Sequence, residues 1–307
     1  MSRSRTPRIA VGPDPVPEWL AAAVTDGGGE IVPLVDAEAI VWGDVADPAG
    51  LSEAVDAAPE ATWIQLPWAG VETFTEVLDH DHVWTCGKGA YADPVAEVAL
   101  ALGLAGLRSI HTYAAATSWS EQRGRNLLGA RVTIVGGGGI AESLVRMLRP
   151  FDCHITVVRP TVQHMEGVDD VVGPDRLADT LPGADLVMLA LALTPDTVGL
   201  IGADELGLME PHAWIVNVAR GRHIVTDDLV DALRGGVIGG AGLEVTDPEP
   251  LPEGHPLWSL ENCVITPHTG TTREMAVPLL AERVRENVSR FAAGQELLGL
   301  VDVRAGY

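Results

Sequence analysis

The sequence predicts an α/β protein built on parallel sheets, and three observations carry that reading. Short runs rich in Val and Ile alternate with helical patterns, the order that builds a parallel sheet covered by helices. The run at residues 185–191 is apolar nearly throughout rather than alternating, as a strand buried on both faces is. A third run, residues 132–135, leads straight into four glycines and then a helical pattern that stops at Pro150. A length of 307 residues suits one large or two medium domains, and 47% hydrophobic residues suffice for a sizeable core.

In chain order, residues 9–11, 31–34, 39–42, 62–66 and 82–85 read as strands, with helices at 19–24 and 51–57. They form a small α/β unit in their own right. Its loop Leu66-Pro-Trp-Ala-Gly-Val71 follows a strand end, where open α/β sheets place ligands. Asp93 and Pro94 then suit the cap and first position of a long apolar helix, residues 95 to about 110. Its length fits a connector between domains or a plain core helix. Residues 111–126 are less regular and hold Trp119, Arg123 and Arg125, a candidate subunit-contact segment. Beyond the glycines, strands are expected at 154–158, 168–172, 185–191, 214–218, 238–245 and 263–266. Thr226, Asp227 and Asp228 are expected to cap a helix that ends at Gly235 and Gly236. A final helix spans residues 271–291, with Pro278 kinking or splitting it, before a short tail.

Charge and cysteine usage narrow the function. Against 20 basic residues stand 43 acidic ones, a net charge of -23. Such a surface would not neutralise the phosphates of a nucleic acid or of an anionic membrane. An anionic ligand must instead be held by a few well-placed positive groups. Three scattered cysteines form no Cys-x-x-Cys pair, so neither a disulfide framework nor a metal site is expected. The polar start has no apolar leader core, and no run reaches the ~18 apolar residues of a membrane span. A cytoplasmic protein is therefore expected.

The glycine stretch is the first candidate site. A strand turning sharply into a helix points unpaired N–H groups and the positive dipole end at one spot, which suits a phosphate. Gly136, Gly138 and Ala141 fit the dinucleotide-binding fingerprint, with Gly139 and Ile140 opening the helix. Tight packing alone could also demand such a turn. In this fold an Asp or Glu about 20 residues past the first glycine bonds the ribose hydroxyl of NAD. Here Arg159 occupies that place, at the end of the next strand. An arginine there would pair a 2′-phosphate through its planar fork, so NADP is the expected cofactor and NAD a possible one. The bland rival is a surface arginine.

Three later motifs each follow a strand: Val216-Asn-Val-Ala-Arg220-Gly221, Gly240-Ala-Gly-Leu-Glu244-Val-Thr-Asp-Pro-Glu249-Pro250-Leu-Pro252, and Ile265-Thr-Pro-His268-Thr-Gly270. Their side chains should gather at one sheet edge. An Arg binds a carboxylate and polarises a carbonyl, a His transfers a proton, and a Glu holds the imidazole's other N–H.

With these motifs in this order, the chain resembles the D-isomer-specific 2-hydroxyacid dehydrogenases over residues 64–273. The resemblance implies a Rossmann-type nucleotide domain, residues 100–270, inserted into a flavodoxin-like substrate domain, residues 1–99 plus 271–307, with the substrate between them. It implies that Arg220 binds the substrate carboxylate and carbonyl, that His268 is the acid/base and Glu249 its partner, and that N–H groups around Ala69 and Gly70 meet the carboxylate. It implies hydride transfer to a 2-keto acid and a homodimer. Among the family, Arg159 is shared with NADP-using glyoxylate/hydroxypyruvate reductases. A phosphoglycerate dehydrogenase-like NAD enzyme and an NAD(H)-sensing, corepressor-like binding protein are the alternatives. Two departures stand out. Glu244 occupies the place of an Asp that touches the nicotinamide carboxamide, and Thr246 that of an aromatic residue.

Overall fold

A computed structural model describes residues 5–304 and 306. In chain order the elements are β1 (Arg8–Gly12), α1 (Glu18–Asp26), β2 (Glu30–Ile31), β3 (Ala39–Trp42), α2 (Pro48–Asp56), β4 (Trp63–Gln65) and β5 (Val83–Thr85). Then follow α3 (Ala92–Leu107), α4 (Ile110–Ala115), β6 (Arg131–Val135), α5 (Gly139–Leu148), β7 (His154–Val158), β8 (Asp170–Val172), α6 (Leu177–Thr180) and β9 (Leu186–Leu189). The chain ends with α7 (Ala203–Leu208), β10 (Trp214–Asn217), α8 (Thr226–Gly235), β11 (Gly240–Leu243), β12 (Cys263–Ile265) and α9 (Arg273–Ala293). Among the described residues no helix is long and apolar enough to cross a membrane.

Contacts divide the chain into residues 1–91 with 272–307, and residues 92–271. The first boundary falls at 91/92 rather than 99/100, because α3 packs along its whole length on α5, β10 and β11. Small residues allow that approach: a Cβ on Gly106 would run into the Trp214 ring.

The first unit is a five-stranded parallel sheet ordered β2-β1-β3-β4-β5, the flavodoxin-like order. Ile40, Ile64, Leu51, Ala54 and Phe74 build the core on the α2 face. On the other face α9 lies beside α1, and Phe291 meets the Trp63 ring at 5.2 Å. A fully buried polar chain runs through that layer. The Trp63 indole donates to Thr85 (2.7 Å), Thr85 to Gln65 (2.9 Å), and Asn287 of α9 to Gln65 (2.8 Å). Because every member is satisfied, the network specifies one register for α9. The expected tail does structural work as well. Cys86 N–H donates to Gly299 O (2.8 Å) and Val301 N–H to Trp84 O (3.0 Å), so the chain end covers the β5 edge.

The second unit is a seven-stranded parallel sheet ordered β12-β11-β10-β9-β6-β7-β8. Counted from β6, that is the 3-2-1-4-5-6 dinucleotide-binding order with one strand added. One face is closed by α3 and α5 through Ala96, Leu102, Leu144 and Leu148, the other by α6, α7 and α8 through Leu177, Leu206 and Leu229.

Four local expectations are corrected, and a fifth, at Pro278, is narrowed. The strand expected at 31–34 stops at Ile31, since Pro33 can donate no ladder bond and leads into a 3-10 turn. Asp93 lies inside α3 rather than capping it; its carboxylate accepts from Ser143 (2.5 Å) and Arg146 (2.6 Å) of α5 instead. The helix ends at Leu107, and Ser109, at φ 53°, turns the chain into the separate α4. Thr226 opens α8 without capping it, because its hydroxyl donates to Asp247 O (2.7 Å). Pro278 does not split α9: its missing N–H would have bonded a first-turn carbonyl, so the helix loses one bond and continues.

Candidate active site

All strands of the second unit are parallel, so the loops after β6, β7, β10, β11 and β12 share one sheet edge. The first is the glycine turn. Gly136 sits at φ 124°, and a Cβ there would collide with the Ala190 carbonyl, so only glycine fits. Gly138 is the cap of α5, has no side-chain cap bond, and faces open space. The N–H groups of Gly139 and Ile140 therefore open the helix toward solvent, with the dipole behind them. Ala141 is fully buried, which fits a small side chain in the third glycine position. Arg159, half-buried at the end of β7, lies across the turn: its Nε would be 2.7 Å from a Cβ on Gly137. A guanidinium beside Gly137 suits a phosphorylated ribose better than a bare hydroxyl.

The loop after β10 is shaped by Asn217, a residue to which the sequence had given no task. Its side chain is 1% exposed, accepts from Ala219 N–H (3.0 Å) and donates to Arg220 O (2.8 Å). This Asx-type turn presents half-buried Arg220, whose Nη1 also donates to Ala219 O (2.7 Å). An Asn ending a wholly buried strand was the available signal.

His268 and Glu249 meet. The His268 Nδ1 lies 2.6 Å from Glu249 Oε1, with side chains 51% and 41% exposed. An exposed pair adds little to stability. Its effect is orientation: Nδ1–H donates to the carboxylate, which leaves Nε2 as the outward nitrogen. His268 has a left-handed backbone, φ 50°, and its N–H donates to Glu244 O and Thr266 O, both at 3.0 Å.

Glu244 is expected at the cofactor. It is 2% exposed, and both carboxylate oxygens are engaged inside the unit, one by the Thr266 hydroxyl and one by the Gly270 N–H. The extra methylene relative to Asp lets the carboxylate reach the loop that follows β12.

Ala69 and Gly70 belong to the first unit, on the turn after β4. Three successive carbonyls there are tied down: Pro67 O by the Tyr91 hydroxyl (2.9 Å), Trp68 O by Gly87 N–H (2.9 Å) and Ala69 O by the Cys86 thiol (3.6 Å). In a trans peptide the N–H points opposite to the preceding C=O. The N–H groups of Trp68, Ala69 and Gly70 therefore each point away from the carbonyl of their own peptide. Burial drives the Tyr91 phenol well above its usual range, so it remains a donor.

Residues 79–270 match the model of the D-isomer specific 2-hydroxyacid dehydrogenase NAD-binding domain. The chain belongs to that family. Within it, the chain is 36% identical over 189 residues to glyoxylate reductase/hydroxypyruvate reductase of Mus musculus, covering 60% of this chain and 55% of that protein. It is 33% identical over 177 residues to glyoxylate/hydroxypyruvate reductase A of Serratia proteamaculans, covering 57% and 56%. The matched stretch thus spans little more than half of either relative. Among solved structures, a D-isomer specific 2-hydroxyacid dehydrogenase from Xanthobacter autotrophicus, in complex with NADPH and MES, superposes with a TM-score of 0.84. It is 26% identical, and the match covers 99% of this chain and 100% of that one.

Proposed function

We propose that this dehydrogenase-family chain reduces a small 2-keto acid of the glyoxylate and hydroxypyruvate class to its D-2-hydroxy acid, using NADPH. The observation that carries the reading is the His268–Glu249 pair at 2.6 Å on the same sheet edge as Arg220 and the glycine turn. The turn fits the cofactor: the N–H groups of Gly139 and Ile140 would hold its pyrophosphate at the N-terminus of α5, and Arg159 its 2′-phosphate. When bound, the reduced nicotinamide supplies a hydride to the carbonyl carbon.

The remaining chemistry belongs to the chain. Arg220 binds the carboxylate and draws electron density onto the carbonyl oxygen. His268 gives its Nε2 proton to that oxygen while its Nδ1–H keeps donating to Glu249, which holds the ring's orientation. Afterwards the half-exposed imidazole regains a proton from water. In the first unit, the N–H groups of Trp68, Ala69 and Gly70 suit a carboxylate. Exposed Trp119 (98%), Leu128 (62%) and Ile110 (55%) support the homodimer expected from the family.

The test is to follow NADPH absorbance with a panel of 2-keto acids, then repeat with NADH. Turnover of the smallest acids and a higher kcat/KM with NADPH are expected. His268→Ala should lose about 10²–10⁴-fold in kcat while still binding NADPH. Absence of turnover, or a preference for NADH, would overturn the assignment.

A further inference from the structure

Glu244 grips the loop that carries His268 at three alternate residues. Its carbonyl accepts the His268 N–H (3.0 Å), while its carboxylate accepts from the Thr266 hydroxyl on one oxygen and the Gly270 N–H on the other. Its own N–H donates to Asn217 O (3.0 Å), the residue that shapes the turn holding Arg220. The loop needs such a grip. His268 is one of three non-glycine residues with positive φ among those described, and its ring is half exposed, so core packing does not hold it in place. Gly270 is buried, and a Cβ there would stand in contact with Glu244 Oε1 at 3.4 Å.

We infer that Glu244 is the positioning residue for His268: its carboxylate fixes the 266–270 loop in the conformation that sets the imidazole against Glu249, and it does not ligate the cofactor. Its length is what makes this possible. An aspartate, shorter by about 1.5 Å, would lose at least one of the two carboxylate bonds. Both carboxylate oxygens are engaged inside the unit, and at 2% exposure almost none of the residue's surface is open to a ligand.

The inference rests on the proposed 2-keto acid reductase reading, and the experiment separates the two. Three quantities are measured on Glu244→Ala, Glu244→Asp and Glu244→Gln: kcat with its pH profile, NADPH affinity by fluorescence quenching, and the His268 imidazole signals by ¹⁵N NMR. Misplacing the imidazole in the alanine and aspartate variants should lower kcat about 10–100-fold, with the affinity for NADPH unchanged within about threefold and the His268 signals shifted. Gln keeps the length: its carbonyl can accept from Gly270 while its amide donates to a rotated Thr266 hydroxyl, so it should recover most of kcat. A cofactor ligand would behave in the opposite way. Weakened NADPH binding with kcat restored at saturation, or unchanged His268 signals in Glu244→Ala, would overturn the positioning role. If no variant, nor the parent protein, turns over a keto acid, the reductase reading fails, and the NMR and binding data still decide the role of Glu244. Should Glu244→Ala fail to fold, Thr266→Val cuts the same bond from the other side and should reduce kcat, with Thr266→Ser restoring it; a Thr266→Val protein with full activity and unshifted His268 signals would also overturn the inference.

Discussion

Two loops on one edge of the second sheet are built in opposite ways. The turn after β6 works through missing side chains: Gly138 and Gly139 open α5 with no side-chain cap over its first N–H groups, and Gly136 has room for nothing larger. The loop after β12 works through added bonds, with Glu244, Thr266, His268, Gly270 and Glu249 tied together across two strand ends. A ligand that needs only partial positive charge is met by bare backbone. A proton donor that must point in one direction needs cross-links, because a single exposed histidine has rotamers to spare.

The largest effect expected from breaking this contrast is at Gly136. Gly136→Val puts a branched side chain against the Ala190 carbonyl at a φ that valine avoids. NADPH affinity should fall below detection in a fluorescence titration, and the melting temperature should drop as well; binding at the parent affinity would show that the turn is not the phosphate cradle. A smaller effect is expected at Arg159, whose guanidinium lies beside Gly137. Arg159→Ser should weaken NADPH by roughly 10- to 100-fold, the worth of one or two charge-assisted hydrogen bonds, and leave NADH nearly unaffected; equal losses for both cofactors would place the arginine away from the 2′-phosphate.

The smallest effect belongs to Asp93, which fastens α3 to α5 behind the glycine turn. The Ser143 hydroxyl, and after it Arg146, hold its carboxyl below the usual carboxylate range. A depressed folded-state value means that this contribution is present above about pH 4, the unfolded carboxylate range, and is lost as the pH falls through the lower folded value. The side chain is 63% exposed, so solvent screening limits the contribution to about 1 kcal/mol or less. Asp93→Asn should therefore cost little in urea unfolding at pH 7, and nothing once the parent carboxylate is protonated. A large loss at pH 7 would mean that the two helices depend on this contact far more than its exposure suggests.

The same contrast explains what the sequence reveals. A glycine turn announces itself because its chemistry is local: strand, glycines and helix are contiguous, and Arg159 is one strand further on. Strands such as β3 and β7 were readable for the same reason, since Ala39–Trp42 and His154–Val158 are runs of β-prone residues with clear ends. The motifs carrying Arg220, Glu249 and His268 could be found, but not the bonds that arrange them. Glu244 meets Thr266 and Gly270 only because β11 and β12 are neighbours, a fact of topology rather than spacing. Asp93 misled for a related reason. It has the composition of a helix cap, yet Ser143 and Arg146, distant in the chain, claim its carboxylate. Asn287 in α9 likewise gives no sign that it completes the bonding of Gln65.

The split membership of the first unit has a consequence for biosynthesis. Residues 1–91 include all five strands of its sheet, but α9 and the strand-pairing tail come from residues 272–307. A ribosome adding about 5–20 residues per second emits the whole of residues 92–271 before α9 emerges, a delay of roughly 10–40 s. Throughout that interval the Trp63 face lacks its helix, Gln65 lacks its Asn287 partner and the β5 edge is bare. The continuous unit can complete its fold first, and the nascent sheet keeps apolar surface open until residues 272–307 arrive.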